Sequence, residues 1–150
     1  MTNRIWLFII IITVIPNVLV AQNDRWCKKA HECKSLEEKV FYYGKSIKRH
    51  KHFADTYILR GTILDSLKQY DQAVSDFNNA ILIDPGNGEG YFRRAVTYQK
   101  LRNYSSAILD FRKCIEYNFE SYKAHLKSGR CYEAMKDEGS AIDEYSACIR

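Results

Sequence analysis

Cysteine and histidine side chains, which could bind a metal or carry redox chemistry, are grouped near the start of the chain. Cys27 and His31 are one helical turn apart, and Cys33 follows two positions later. This spacing matches no standard zinc module. We therefore predict no metal site and no cofactor. A metal- or redox-active protein that uses Cys27, His31 and Cys33 is kept as an alternative.

Catalytic motifs do not stand out elsewhere in the chain. The sequence contains no recognisable nucleophile motif, phosphate-binding loop or arrangement of paired carboxylates. Five cysteines are present, and an odd number leaves at least one thiol free or paired with a partner. We predict that the protein is not an enzyme.

The composition indicates a folded, helical protein. Hydrophobic residues make up 46% of the 150 residues and charged residues 27%. Only two prolines and seven glycines are present, too few for the many turns of an all-β fold. The formal charge of +5 is modest and scattered, and it favours solubility over nucleic-acid binding.

The N-terminal segment 1–21 has the layout of a secretory signal peptide. Arg4 precedes an apolar run from Ile5 to Ile15 that only Thr13 interrupts, and small to medium residues end the segment at Ala21. An uncleaved membrane anchor is the alternative, because residues 5–21 approach the length of a spanning helix. Both interpretations place the protein outside the cytoplasm, in a periplasm, in a secretory lumen or as a secreted product.

The rest of the chain repeats itself with a period of about 34 residues. Residues of matching size recur at one fixed interval in five series: Tyr57, Tyr91, His125; Gly61, Ala95, Gly129; Ala73, Ala107, Ala141; Phe77, Phe111, Tyr145; and Ala80, Cys114, Cys148. Each unit holds two helix-length apolar patterns, and Pro85 followed by Gly86 ends the second helix of the clearest unit. Small residues are expected where two helices cross, with the large aromatics filling the wedge between neighbouring helix pairs. A single pair cannot bury its apolar face, so the pairs must stack.

At these positions the chain resembles the tetratricopeptide-repeat (TPR) family, whose units carry small and aromatic residues at fixed offsets. The resemblance implies an all-α fold, a right-handed solenoid of helical hairpins that follows the signal peptide. Phe119 stands where the family usually has proline, so a weaker helix stop is expected there.

The period divides the chain into five segments. We predict a signal peptide or anchor at 1–21, a degenerate first repeat or helical cap at 22–53, repeats at 54–87 and 88–121, and a truncated repeat at 122–150. Lys39 replaces the expected small residue in segment 22–53.

By resemblance to the family, the first helices of the repeats line a concave groove that binds other proteins. The matching groove positions hold Ile58, Thr62, Asp65, Phe92, Val96, Gln99, Leu126, Arg130 and Glu133. Ile58, Phe92 and Leu126 form an apolar row that suits an extended or helical peptide. The alternative is that these three residues simply pack between neighbouring first helices.

Some relatives clamp the C-terminal carboxylate of heat-shock chaperones with basic residues. The matching positions here hold Ile58, Thr62, Arg93, Lys123 and Lys127. Because the first repeat contributes no charge, we expect no such clamp. The segment Tyr91–Ala95 also resembles lumenal co-chaperones, although the J domain of those proteins is absent.

The sequence thus predicts a non-catalytic interaction module or scaffold that binds a protein or peptide outside the cytoplasm. The alternatives are a membrane-anchored adaptor or a lumenal co-chaperone-like protein. Membrane contact is expected only if the N-terminal segment is uncleaved. No polar capping helix follows Ala141–Arg150, so this helix is exposed, docks on a partner or a second copy, or belongs to a longer product.

Overall fold

The structure is a computed structural model that describes residues 24–51 and 53–148. The predicted signal peptide or anchor at 1–21 lies outside the described residues. Within the described residues, no helix combines the length and apolar character needed to cross a membrane.

The described residues form α-helices and no strand, so the prediction of an all-α fold is confirmed. Short connections separate successive helices. The elements are α1 (Arg25–Glu32), α2 (Leu36–Arg49), α3 (Ala54–Ser66), α4 (Tyr70–Ile83), α5 (Gly88–Lys100), α6 (Tyr104–Glu116), α7 (Ser121–Ala134) and α8 (Glu138–Ala147).

The helices pack as hairpins that stack in chain order. Helix α1 packs on α2, α3 on α4, α5 on α6 and α7 on α8, and each hairpin also contacts the next one through adjacent helices. The first helices α3 and α5 touch across neighbouring hairpins. This arrangement is the predicted solenoid of helical hairpins. The hairpins stack because a single hairpin cannot bury its apolar face alone.

Small residues lie where the two helices of a hairpin cross. A Cβ atom added to Gly61 would lie 2.7 Å from Cε1 of Phe77, and one added to Gly129 would lie 2.4 Å from Cε1 of Tyr145. Each aromatic ring therefore sits on the small residue of its own hairpin. The ring of Phe77 also lines the space between its own hairpin and the next one, together with Phe92.

The turn inside each repeat uses a left-handed residue that is not glycine. Lys68, Arg102 and Lys136 have φ values of 61°, 58° and 63°, and they occupy the same place in successive repeats. The residue that follows each left-handed residue donates its backbone N–H to a carbonyl of the preceding helix; for example, Asn103 N–H donates to the Tyr98 oxygen at 2.9 Å. This is the Schellman pattern of a helix C-terminus.

Two different stops end the second helices. Helix α4 ends at Ile83, just before Pro85, as the missing proline amide predicts. Helix α6 ends at Glu116 without a proline, and Asn118 and Glu120 take left-handed conformations in the connection that follows. Phe119, between them, packs against Gly88 at the start of α5.

Candidate functional site

A depression of about 180 Å³ lies between the first helices of the stacked hairpins. Four of the predicted groove residues line it: Thr62 and Asp65 from α3, and Phe92 and Val96 from α5. The remaining wall consists of Phe77, Arg93 and Lys127. The helix pairs therefore bring residues from three successive hairpins to one site.

The floor of this depression is apolar and consists of packed aromatic rings. Phe92 is half-buried, and its ring meets the edges of Phe111 and Phe119 at centroid distances of 5.8 and 5.9 Å. Phe77 is 1% exposed, so little of its ring is accessible. Phe119, which replaces the usual proline, thus supports an apolar floor from below.

Basic side chains border the depression. Arg93 donates from Nη2 to Oε1 of Glu89 at 2.9 Å, on the exposed surface. Burial lowers the pKa of Lys127, and the positive charges of Arg130 and Lys100 lower this pKa further. A lysine in such surroundings gains more from an added negative charge than a solvated one does.

Both oxygens of the Asp65 carboxylate already have partners within the protein. Its Oδ1 accepts a hydrogen bond from Thr97 Oγ1 at 2.9 Å, and its Oδ2 pairs with Nζ of Lys100. These contacts join α3 to α5 and neutralise the one acid in the wall. Arg93 is likewise paired with Glu89, so Lys127 is the lining residue whose positive charge has no ion-pair partner among the described residues.

The other predicted groove residues lie outside this depression. Ile58 is 4% exposed and packs with Ala54 and Ala80 in the core, so it offers no free apolar anchor. Gln99 uses Nε2 to donate to the Lys127 carbonyl at 3.1 Å and so joins α5 to α7. Leu126 is half-buried and Arg130 is exposed. The predicted apolar row is therefore interrupted at its first member.

Glu133 belongs to a second depression, of about 480 Å³, at the last hairpin. Its Oε2 accepts a hydrogen bond from the Tyr145 hydroxyl at 2.7 Å. The other lining residues are Lys136, Glu138, Ala141, Ile142 and Tyr145. Burial, followed by the bond to Glu133, raises the pKa of Tyr145 to about 12.

Three lining residues were not among the predicted groove positions. The sequence predicts Arg93 and Lys127 only as carboxylate-clamp positions, and Phe77 as one of the aromatics that fill the wedge between helix pairs. The sequence feature that could have placed Phe77 in the wall is its position opposite Gly61. A side chain that lies on a glycine can extend past the helix to its far side.

The repeated unit of 34 residues matches a known family. Two models of the tetratricopeptide repeat match the chain, one over residues 54–87 and the other over residues 88–121. Residues 54–121 belong to the tetratricopeptide-repeat family. The family resemblance noted in the sequence is thereby confirmed.

Solved TPR structures share the fold. The chain is similar to a crystal structure of MamA, with 20% identity, a TM-score of 0.76, and coverage of 84% of this chain and 73% of that one. It is also similar to residues 41 to the end of MamA from Desulfovibrio magneticus RS-1, with 18% identity, a TM-score of 0.70, and coverage of 76% of this chain and 64% of that one. The TPR domain of Arabidopsis OM64 is 27% identical, with a TM-score of 0.65, and the match covers 71% of this chain and 88% of that one. No curated protein is significantly similar to the chain in sequence.

The cysteine and histidine group lies ahead of the two matched TPR units, and its side chains diverge. The Cys27 thiol faces the core, 3.3 Å from Ser46 Oγ, whereas Cys33 donates to the Lys29 carbonyl near the surface. The His31 ring meets the edge of Tyr43. Among the described residues no three potential ligands converge on a metal-sized space, and all five cysteines are free thiols.

Proposed function

We propose that this chain is a non-catalytic scaffold, acting outside the cytoplasm, that binds a segment of another protein in the 180 Å³ depression. TPR units serve as protein-interaction scaffolds, since their stacked first helices offer an extended surface. The observation that carries the proposal is the convergence of three hairpins on one apolar floor with a basic rim. Such a site suits an apolar side chain with an acidic group beside it.

Site-specific photo-crosslinking tests the place of binding. A photoreactive phenylalanine analogue is introduced at Val96, inside the depression, and as a matched control at Leu109, which is 61% exposed on the second helix of the same repeat. We expect the partner protein to be captured from position 96 and not from position 109. Capture at 109 alone would place binding on the outer helices and would overturn the proposal.

A charge reversal tests the predicted chemistry of the bound segment. Lys127→Glu should weaken binding of the captured partner about tenfold or more, because it replaces one cation of the rim with an anion. Lys123→Glu on the same helix is the control: Lys123 is exposed and does not line the depression. Equal losses from both variants would mean that the rim is not where the acidic group binds.

The proposed location rests on residues 1–21 of the sequence. Export with cleavage predicts that the purified protein lacks about 21 residues at its N-terminus, whereas the membrane-anchored alternative predicts that it keeps them. The mass of the intact protein from its native source separates the two. A full-length protein recovered in a cytoplasmic fraction would contradict both.

A further inference from the structure

A cluster of aromatic rings lies on the first hairpin, ahead of the two matched TPR units, and none of its residues lines the 180 Å³ depression. The rings of Trp26 and Tyr42 stack at a centroid distance of 5.9 Å with an interplanar angle of 15°. Phe41 meets Tyr42 edge-on at 5.3 Å, and 57% of Phe41 is exposed. Helices α1 and α2 together therefore present apolar rings at the surface.

Cations cover these rings. The guanidinium of Arg25 lies 4.5 Å from the Trp26 centroid, and Nζ of Lys45 lies 4.6 Å from it. Lys45 is also 4.5 Å from the Phe41 centroid, and Lys29 lies 5.3 Å from that of Tyr42. We call these six residues the basic aromatic patch: Arg25, Trp26, Lys29, Phe41, Tyr42 and Lys45.

The cations of the first hairpin are not neutralised by described acidic residues. Within residues 24–51 no arginine or lysine lies within 4.0 Å of a described carboxylate. In residues 53–148, by contrast, ion pairs engage half of the twelve arginines and lysines: Arg60, Arg93, Arg94, Lys100, Lys113 and Lys123. The positive charge of the first hairpin is thus free to act on a partner.

The charge of the molecule is divided in the same way. Residues 24–51 hold nine arginines and lysines against four aspartates and glutamates, a balance of +5. Residues 53–148 hold twelve against fourteen, a balance of −2. The basic excess that looked scattered along the sequence is concentrated at one end of the solenoid.

From this geometry we propose that the basic aromatic patch docks on a membrane surface that contains anionic lipid. Aromatic rings with a polar or charged edge favour the headgroup region of a bilayer, and arginine and lysine are attracted to anionic headgroups. Phe41 would enter the apolar boundary while Arg25, Lys29 and Lys45 contact phosphates. The apolar run of residues 5–21 also ends only four positions before Arg25, so a retained anchor would hold the patch at the bilayer edge.

The same patch is a poor match for single-stranded nucleic acid. Base binding on aromatic side chains requires an open ring face. Trp26 is stacked on Tyr42 and approached by two cations, and Phe41 is approached by Lys45. An acidic polypeptide is the competing ligand, and the experiment includes it.

Tryptophan fluorescence provides the test, because Trp6 and Trp26 are the only tryptophans of the chain. The chain that begins at Gln22 lacks the apolar run, which could insert into any bilayer, and keeps Trp26 as its single tryptophan; it is mixed with vesicles of phosphatidylcholine, with and without phosphatidylserine. We expect the emission of Trp26 to shift to shorter wavelength, and to be quenched by brominated lipid, only in vesicles with phosphatidylserine. Added salt should reverse both effects.

Two variants separate the patch from net charge. Lys29→Gln with Lys45→Gln should weaken this lipid response about 25-fold, because each cation near the surface contributes about fivefold. Arg102→Gln with Lys136→Gln removes the same charge from exposed turns of the repeats and should leave the response unchanged. Phe41→Ser should reduce quenching by brominated lipid while the salt dependence stays. Far-UV circular dichroism confirms that each variant is folded.

Three outcomes would overturn the proposal. The first is an identical Trp26 signal in both kinds of vesicle. The second is an equal loss in the two double variants, which would show that total charge and not the patch is responsible. The third is a response to soluble polyglutamate without a response to phosphatidylserine, which would assign the patch to an acidic protein.

Discussion

The guanidinium of Arg94 donates two hydrogen bonds to the carboxylate of Asp110, from Nε to Oδ2 at 2.8 Å and from Nη2 to Oδ1 at 2.7 Å. Arg60 and Asp76, at the same places in the preceding repeat, form the same pair at 2.7 and 2.6 Å. In each hairpin the pair joins the first helix to the second where both are largely buried. Arg94 extends the connection by donating to Asn78 of the preceding repeat at 2.6 Å.

Loss of one partner of this pair should destabilise the fold strongly. Asp110→Ala leaves the Arg94 guanidinium, only 18% exposed, without its carboxylate, and should lower the free energy of unfolding by about 3 kcal/mol. Urea denaturation followed by circular dichroism measures it. Arg93→Ala is the control, since its pair with Glu89 is exposed and should contribute less than about 1 kcal/mol. Equal effects would refute a special role for the buried pair.

The crossing of α3 and α4 should not accept a methyl group. Gly61→Ala places a Cβ 2.7 Å from Cε1 of Phe77, so this 1% exposed ring must shift to accept the methyl group, and we expect a loss of about 1–3 kcal/mol in unfolding free energy. Gly86→Ala, at an exposed turn whose nearest atom is 3.7 Å away, should change it by less than about 0.5 kcal/mol. A tolerated Gly61→Ala would show that the hairpin is loosely packed.

Glycine should improve the left-handed turns. Arg102 has a φ of 58°, a conformation that costs an L-residue roughly 1–2 kcal/mol, and glycine avoids this cost but loses more chain entropy on folding. We expect Arg102→Gly to raise the unfolding free energy by about 0.5 kcal/mol. The same substitution at Arg112, inside helix α6, should lower it by about 1 kcal/mol. The test is that the two substitutions change the unfolding free energy in opposite directions. Destabilisation at both positions would contradict the left-handed geometry of the turn.

The thiol of Cys114 should react slowly and with an unusual pH profile. Burial, followed by the negative charge of Asp110, raises its pKa to about 12, so the thiolate is scarcer at any given pH than in the unfolded chain. At pH 8 we expect alkylation by iodoacetamide more than about 1000-fold slower than in urea. Between pH 8 and 10 the native rate should rise about tenfold per pH unit, while the rate in urea levels off. Mass spectrometry of the Cys114 peptide measures both, and a plateau near pH 9 in the native protein would contradict the raised pKa.

The fold could be predicted because one packing rule recurs. A small residue must lie under a ring in every hairpin, so Gly61 and Phe77 have counterparts of the same size one repeat later. The turns carry no such signal, because Lys68 and Arg102 occupy positions where glycine would mark a left-handed residue. What recurs there is only a large apolar residue followed by a cation.

The candidate site was harder to predict than the fold. A period identifies the face of a helix but not how deeply each residue on that face is covered, and Ile58 is buried because its neighbours Ala54 and Ala80 let the helices approach closely. The repeated pair of Arg94 and Asp110 could have been found, since both charges recur at the interval of the repeat. Nothing in the repeat pattern pointed to the patch on the first hairpin, because its residues have no counterparts in the repeats.

The unequal division of charge between the first hairpin and the repeats gives the protein an electric dipole along the stacking direction. Near a negatively charged surface such a dipole experiences a torque, so the molecule turns its first hairpin toward the surface before contact. The turning weakens as the Debye length shortens with added salt. Molecules that dock as proposed would share one orientation, with the repeats, whose net charge is −2, on the side away from the surface.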